Sequence, residues 1–153
     1  MKTILQVIFL FTATIILGQT GRVIKVKDGD TIVILDSLYT QHTIRVADID
    51  APEKGQPFST VAKNFVSDEI FGKTVFVQKN KIDRYGRTVG HIFYEDKDLS
   101  EELLRNGLAW HYKYFSDNQY LSDLELEARN KKIGLWIDHN PINPYKWRKG
   151  KRN

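Results

Sequence analysis

Short runs in which apolar and polar residues alternate appear early in the chain. RVIKVKDGDTIVIL holds two such runs on either side of Asp28 and Gly29, the commonest pair in a two-residue hairpin turn, where glycine supplies a positive φ. This pattern predicts a hairpin with strands over residues 22–27 and 30–35. Three later strands are predicted in HTIRVADI, TVFVQKN and TVGHIFY.

Three other stretches have the apolar spacing of amphipathic helices. In STVAKNFVSDEIFG the residues at helical intervals are Val61, Ala62, Phe65, Val66 and Ile70. This helix is predicted to end at Gly72, a typical C′ residue. A second helix is predicted to begin at a cap by Asp98 and to stop at Gly107, and a third to run from a cap by Ser116 to Gly134.

The order of the elements is three strands, a helix, two strands and two helices, which indicates a mainly β protein with α-helices (an α+β fold). Five short antiparallel strands interrupted by one helix are typical of a five-stranded Greek-key barrel of the OB-fold type, here with three flanking helices. The chain has 153 residues, of which 41% are hydrophobic and 27% charged, so we expect one folded domain, at residues 19–138. Such a fold often binds nucleic acids or oligosaccharides, but the fold alone does not establish catalysis.

The N-terminal segment has a different composition. Lys2 precedes an apolar run at residues 4–17, and small or polar residues follow. This is typical of a secretory signal peptide, which we expect at residues 1–18 with cleavage near Gly18 and Gln19, so that the protein is secreted or periplasmic. The run is short for a membrane span, which needs about 20 apolar residues, and an uncleaved membrane anchor is the less favoured alternative.

The cysteine content and the distribution of charge limit which kinds of catalytic and binding site the chain can form. The chain has no cysteine, which excludes disulfides, a thiolate nucleophile and a Cys-ligated zinc site. The formal charge of +4 comes largely from the C-terminal segment. Residues 19–138 carry 17 basic and 19 acidic groups, whereas residues 139–153 carry five Lys and Arg, interleaved with Tyr145 and Trp147. A basic tail of this kind can bind phosphate backbones, and a disordered solubilising tail is an equally weighted alternative.

Carboxylates crowd the end of the third strand, in RVADIDAPE, and like charges so close together destabilise a chain unless a positive group balances them. Asp30 follows the hairpin turn, and Asp50 and Glu53 stand where the third strand ends, so these three can converge. Oxygen ligands without a nearby histidine favour Ca²⁺ or Mg²⁺. A solvated loop is the alternative, because aspartates at turns commonly cap the backbone. Asp48 has no such role and is expected to face solvent or to pair with an arginine.

Two arginines flank these acids. Arg45 lies on the same strand as Asp50, and Arg87 closes the loop KIDRYGR. A guanidinium binds phosphate oxygens through two parallel hydrogen bonds and keeps its charge at ordinary pH, and two of them beside a dication would stabilise a five-coordinate phosphorus transition state. Glu53 near a metal-bound water would suit a general base. The alternative is that the arginines form surface ion pairs of little energetic value.

Five signatures stand in a definite order: DGDT (28–31), R…DIDAPE (45–53), DRYGR (83–87), NGLAW (106–110) and GLW (134–136). In these the chain resembles the staphylococcal nuclease (thermonuclease) family over residues 22–136. The resemblance implies a Ca²⁺-dependent enzyme that hydrolyses phosphodiester bonds in DNA and RNA on an OB-fold barrel. It implies no stable protein partner, and we expect a monomer.

The resemblance also implies roles by position. Asp30 and Asp50 would bind Ca²⁺ through their carboxylates and Ala51, which replaces a threonine of the family, through its backbone carbonyl. Glu53 would position or deprotonate the attacking water. Arg45 and Arg87 would bind the scissile phosphate. The aromatic residues that would line the nucleotide pocket are Tyr85, Tyr112 and Tyr114.

The chain departs from the family in two loops, and a second function is compatible with the same fold. The loop KGQPFST after Glu53 is shorter and less basic than in the family, and the segment carrying Tyr112 and Tyr114 is one residue shorter. The alternative from another class is an OB-fold module that binds nucleic acid without cutting it, although such modules tend to lose the carboxylates or arginines that are all present here.

The four histidines lack the spacing of metal ligands and are expected to be structural.

Overall fold

A computed structural model describes residues 18–152, and eight strands occur in this part of the chain. They are β1 (Gly18–Asp28), β2 (Thr31–Leu35), β3 (Gln41–Val46), β4 (Ile49–Asp50), β5 (Thr74–Ile82), β6 (Thr88–Tyr94), β7 (Lys97–Asp98) and β8 (Trp110–His111). The main sheet has the order β3-β2-β1-β5-β6-β7, and a parallel pairing of β3 with β6 closes it into a five-stranded barrel. The predicted OB-fold is confirmed.

Helices surround this barrel. Within residues 18–152 they are α1 (Ser59–Ile70), α2 (Leu99–Arg105), α3 (Gln119–Asn130) and α4 (Pro144–Arg148), with a 3-10 helix at Gly134–Ile137. The first three are the predicted helices. The fourth lies in the basic segment, where Arg148 of this helix pairs with Asp50 and Glu53 of the barrel.

The core follows from the alternation of side chains along the strands. Every second residue of β2 and β3 points into the barrel, and Ile32, Ile34 and Ile44 are fully buried there. Leu103 and Leu104 of α2 join the same cluster. A smaller cluster lies under the C-terminal part of the domain and contains Trp110, Ala128, Leu135 and Trp136.

The first hairpin turn differs from its prediction by one residue. Asp28 pairs with Thr31, so the turn begins at Gly29. Gly29 does not adopt a positive φ; instead, a Cβ added there would lie 2.9 Å from the Cβ atoms of Ala51 and Ala62. Glycine is therefore needed because the turn packs directly against the segment after β4 and against α1.

One helix cap was wrongly predicted. Asn118, not Ser116, caps α3, since its Oδ1 accepts from the backbone N of Tyr120 at 3.0 Å. Ser116 Oγ instead lies 3.0 Å from His111 Nε2. The cap of α2 by Asp98 is confirmed, as is Gly72 with a positive φ after α1.

Almost all of the signal peptide expected at residues 1–18 lies outside the described residues. The described chain starts at Gly18, which already pairs with Gln78 of β5. The expected cleavage site thus coincides with the first residues of the barrel. In the described part, 18–152, no helix is long and apolar enough to cross a membrane.

Candidate active site

Two aspartates from different elements meet at one arginine. Asp30 lies in the hairpin turn, Asp50 in β4, and Arg45 in β3 opposite Thr31 of β2. Arg45 Nη2 donates to Asp50 Oδ1 at 2.9 Å, and Nη1 forms an ion pair with Asp30 Oδ2. The three side chains are 14%, 2% and 10% exposed for Arg45, Asp50 and Asp30. The structure therefore brings both predicted metal ligands to a predicted phosphate-binding residue.

Buried charges of this kind need partners for every oxygen and N–H. Asp30 Oδ2 accepts from the backbone N of Ala51 at 2.9 Å, and its Oδ1 accepts from Thr31 Oγ1 at 3.0 Å. Burial lowers the pKa of Arg45 below its ordinary value; Asp50 opposes this effect and the like charge of Arg87 adds to it. The charge of Arg45 is therefore balanced by both aspartates.

Arg87 is held by its own loop. Its Nε donates to Asp83 Oδ2 at 2.7 Å, and its backbone N donates to Asp83 Oδ1 at 2.9 Å. Burial alone would raise the pKa of Asp83, but these hydrogen bonds from Arg87 lower it overall. Arg87 Nη1 lies 3.5 Å from Thr31 Oγ1, which places the guanidinium next to the neighbour of Asp30.

Glu53 stands at the exposed rim of this group. Its backbone N donates to Gln56 Oε1 at 2.9 Å, and its C=O accepts from the backbone N of Gln56 at 2.8 Å. Its carboxylate forms an ion pair with Arg148 Nη1. Arg148 also reaches Asp50, with Nη2 to Oδ2 at 2.9 Å and Nη1 to Oδ1 at 3.2 Å. A third arginine, from α4, therefore belongs to the site.

Local contacts hold α4 in this place. Asn143 caps the helix by accepting from the backbone N of Tyr145 at 2.9 Å, and Pro144 is buried as the first helical residue. The buried Gln56 donates from Nε2 to the C=O of Ile142. Gln56 thus connects the loop that carries Glu53 with the segment that precedes α4.

The three predicted substrate tyrosines are placed differently. Tyr85 is 69% exposed, and its ring lies 5.5 Å from the guanidinium carbon of Arg87. Tyr112 and Tyr114 both pack edge-on against Phe115, at 4.9 and 4.8 Å between ring centroids. Tyr85 therefore adjoins the arginines, whereas the other two belong to an aromatic group with its own contacts.

Asp48 does not face solvent or pair with an arginine as predicted. It adopts a positive φ of 62°, and its Oδ2 lies 3.2 Å from Nε2 of His91, whose Nδ1 lies 2.9 Å from Oδ2 of Asp98. Hydrogen bonds to Asp48 and then Asp98 raise the pKa of His91 to about 10. A sharp bend two residues before Asp50 is therefore braced by a charged histidine.

The donor set fits a hard dication in its chemistry. Four carboxylates, of Asp30, Asp50, Glu53 and Asp83, pair with three guanidiniums, of Arg45, Arg87 and Arg148, which leaves one net negative charge. Oxygen donors of this type suit Ca²⁺ or Mg²⁺. In residues 18–152 no group of three or more His, Cys, Asp and Glu side chains has the arrangement of a metal site, and the oxygens of Asp50 are bonded to guanidinium groups.

Two site residues were not predicted from the sequence. Asp83 stands four residues before Arg87 at the start of a tight turn, and this spacing, common for turn aspartates, was a usable signal. Arg148 had no local signal, since its partners Asp50 and Glu53 are 98 and 95 residues away.

Comparison with known proteins identifies the family of the chain. The family model described as "Staphylococcal nuclease homologue" matches residues 43–138, more than half of the chain. An "Uncharacterized endonuclease" of Haemophilus influenzae is 38% identical over 131 residues, covering 86% of this chain and 74% of the relative. An "Uncharacterized endonuclease" of Escherichia coli is 38% identical, covering 96% and 97%.

A "Micrococcal nuclease" of Shigella flexneri is 37% identical over 146 residues, covering 87% of this chain and 82% of the relative. The family match and these relatives confirm the prediction of a nuclease-type hydrolase. The chain belongs to the staphylococcal nuclease family.

Proposed function

We propose that the protein hydrolyses phosphodiester bonds in both DNA and RNA and uses Ca²⁺ as its metal ion. The observation that carries this proposal is the meeting of two buried carboxylates and two arginines at one end of the barrel, where Arg45 bonds Asp30 and Asp50 directly. Positive groups beside buried carboxylates suit an anionic substrate that is bound together with a cation.

The metal would be held by oxygen atoms. Asp30 and Asp50 would bind through their carboxylates and Ala51 through its backbone carbonyl, in keeping with the preference of Ca²⁺ for oxygen ligands. When bound, the ion supplies Lewis-acid stabilisation of the phosphate oxygens. Burial of Asp50, whose side chain is 2% exposed, makes this interaction stronger than it would be in bulk water.

The side chains of this protein would perform the remaining steps. Arg45 and Arg87 would donate to the non-bridging oxygens of the scissile phosphate, and their charge would stabilise the additional negative charge of the transition state. Glu53, which is partly exposed to water at the rim, would accept a proton from the attacking water as the water oxygen bonds to phosphorus. The bond to the leaving oxygen would break, and that oxygen would take a proton from solvent water. Asp83 would keep the guanidinium of Arg87 in position.

Aromatic rings would hold the nucleotides next to the scissile bond. The exposed ring of Tyr85 lies beside Arg87, so a base stacked on it would leave its phosphate near the guanidinium. Tyr112 and Tyr114 would add further aromatic surface for the nucleotides. Stacking does not depend on the sugar, which is consistent with action on both DNA and RNA.

The test is cleavage of single-stranded DNA and of RNA in Ca²⁺, in Mg²⁺ and in EGTA. We expect cleavage in Ca²⁺, none in EGTA, and a loss of about 10²-fold or more in turnover for Glu53→Gln and for Arg87→Ala. Glu127→Gln is the matched control, because Glu127 forms only an exposed ion pair with Lys131. Cleavage that persists in EGTA would contradict the metal dependence. Binding without cleavage in any metal would instead establish the binding module.

We also propose that the N-terminal segment directs export and is then removed. The proposal rests on Lys2, the apolar run that follows it and the start of the barrel at Gly18. Mass spectrometry of the protein recovered from the medium or periplasm should give a mature N-terminus near Gln19. Protein recovered there with Met1 still attached would contradict removal.

A further inference from the structure

Arg148 occupies the carboxylates that the metal would need. Its two terminal nitrogens bond both oxygens of Asp50, at 2.9 and 3.2 Å, and Nη1 also pairs with Glu53. Arg45 donates to one of the same Asp50 oxygens. Both oxygens of this buried carboxylate are therefore bonded to guanidinium groups.

A dication at Asp50 and the guanidinium of Arg148 would compete for the same place. Asp50 Oδ1 already accepts from both Arg45 and Arg148, so a dication would have to share Oδ2 with the guanidinium of Arg148. The two cations would also repel each other in a site where Asp50 is almost fully buried and solvent screens little. Both cannot hold Asp50 in their preferred geometry.

We propose that Arg148 is an internal cation of the active site, which binds Asp50 and Glu53 in the metal-free protein and leaves them when the dication binds. Arg148 would thereby set the concentration of dication that the enzyme requires. This inference rests on the proposed metal-dependent function and deepens it.

The construction of α4 allows this exchange. The helix has five residues and is attached at its beginning, through the buried Pro144 and the hydrogen bond from Gln56 to Ile142. Arg148 is its last residue and is 38% exposed. The end of the helix can therefore move away from the carboxylates while its first turn stays in place.

The test measures Ca²⁺ binding without nucleic acid, by isothermal titration calorimetry of the full chain. Arg148→Gln removes the guanidinium that competes with Ca²⁺ for Asp50. This variant should therefore bind Ca²⁺ at least about tenfold more tightly than the wild type. The Ca²⁺ affinity of Arg148→Lys should lie between those of the wild type and Arg148→Gln, because an ammonium cannot form two parallel hydrogen bonds to one carboxylate. Lys149→Gln removes the same charge from the next residue, whose ammonium lies 5.7 Å from the centroid of the Tyr145 ring, and should change the Ca²⁺ affinity by less than about twofold.

Hydrogen exchange of the wild type gives a second measurement. The backbone N of Gly150 donates to the C=O of Trp147 and that of Lys151 to the C=O of Lys146, both at the end of α4, so these amides should exchange slowly in EGTA and faster when Ca²⁺ is saturating. Slower exchange in Ca²⁺ would overturn the proposal. The Lys variant, which keeps the charge and most of the length of the side chain, carries the test if the Gln variant does not fold.

The failure of this inference can be told apart from that of the proposed function. If Arg148→Gln and the wild type bind Ca²⁺ equally, or the variant binds it more weakly, while the wild type still cuts nucleic acid only in Ca²⁺, this inference alone is overturned. If neither chain binds Ca²⁺, the proposed metal dependence is overturned and this inference with it.

Discussion

The bridge that His91 forms between Asp48 and Asp98 should make the protein lose stability as the pH rises. The bridge raises the pKa of His91 from 6.5 to about 10. A raised pKa in the folded state means that the stabilisation is complete below about pH 6.5 and is lost as the pH rises toward 10. Stability should therefore decline through this window, since the folded state holds a proton that the unfolded state has released.

The magnitude follows from the same values. The difference between 6.5 and about 10 corresponds to about 5 kcal/mol of proton-linked free energy of unfolding. The His91 side chain is 20% exposed, so solvent screens part of the interaction, and we expect about 2–3 kcal/mol over the whole window.

The assay is urea unfolding at pH 6, 7.5 and 9 at constant ionic strength, for the wild type and for His91→Gln. We expect the free energy of unfolding to fall with pH in the wild type and to depend much less on pH in the variant. His139→Gln is the control, because His139 is exposed and should retain the wild-type slope. Equal slopes for the wild type and His91→Gln would refute the assignment of the charged bridge.

Three further predictions concern positions that the structure explains. Gly29→Ala should destabilise the fold by about 1–3 kcal/mol in urea unfolding, because the new methyl would meet Ala51 at 2.9 Å; unchanged stability would contradict the close approach. Asn118→Ala should cost about 1 kcal/mol in the same assay, and no loss would mean that another residue caps α3. Asp83→Asn keeps one acceptor oxygen but removes the charge that holds Arg87, so turnover should fall about tenfold or more, with a smaller loss of stability because the charged carboxylate also stabilises the fold; unchanged turnover would show that Arg87 needs no such support.

The accuracy of the sequence-based predictions varied with the range of the interactions involved. The hairpin, α1 and the cap of α2 were predictable because strand alternation, helical spacing and an Asp98 cap depend on residues within a few positions of each other. The turn at Gly29 was placed one residue early, since its glycine is required by packing against α1 rather than by its own φ. Ser116 was a plausible cap by spacing, but its hydroxyl bonds His111 instead.

The site residues show the same division. Asp30, Asp50 and Arg45 were proposed together from ordered motifs, and the structure places them in direct contact. The partner of Asp48 was wrongly predicted, because His91 lies 43 residues further along the chain and reaches it only through the pairing of β3 with β6.

By itself, the sequence determined the barrel-forming strands, the first three helices, the family and the acids and arginines that the family motifs carry. Only the tertiary structure placed α4 against the site and Arg148 on Asp50 and Glu53. The physical reason is that local pattern encodes backbone conformation and burial, whereas an ion pair between residues almost a hundred positions apart depends on how the closed barrel and the chain that follows α3 fold back on each other.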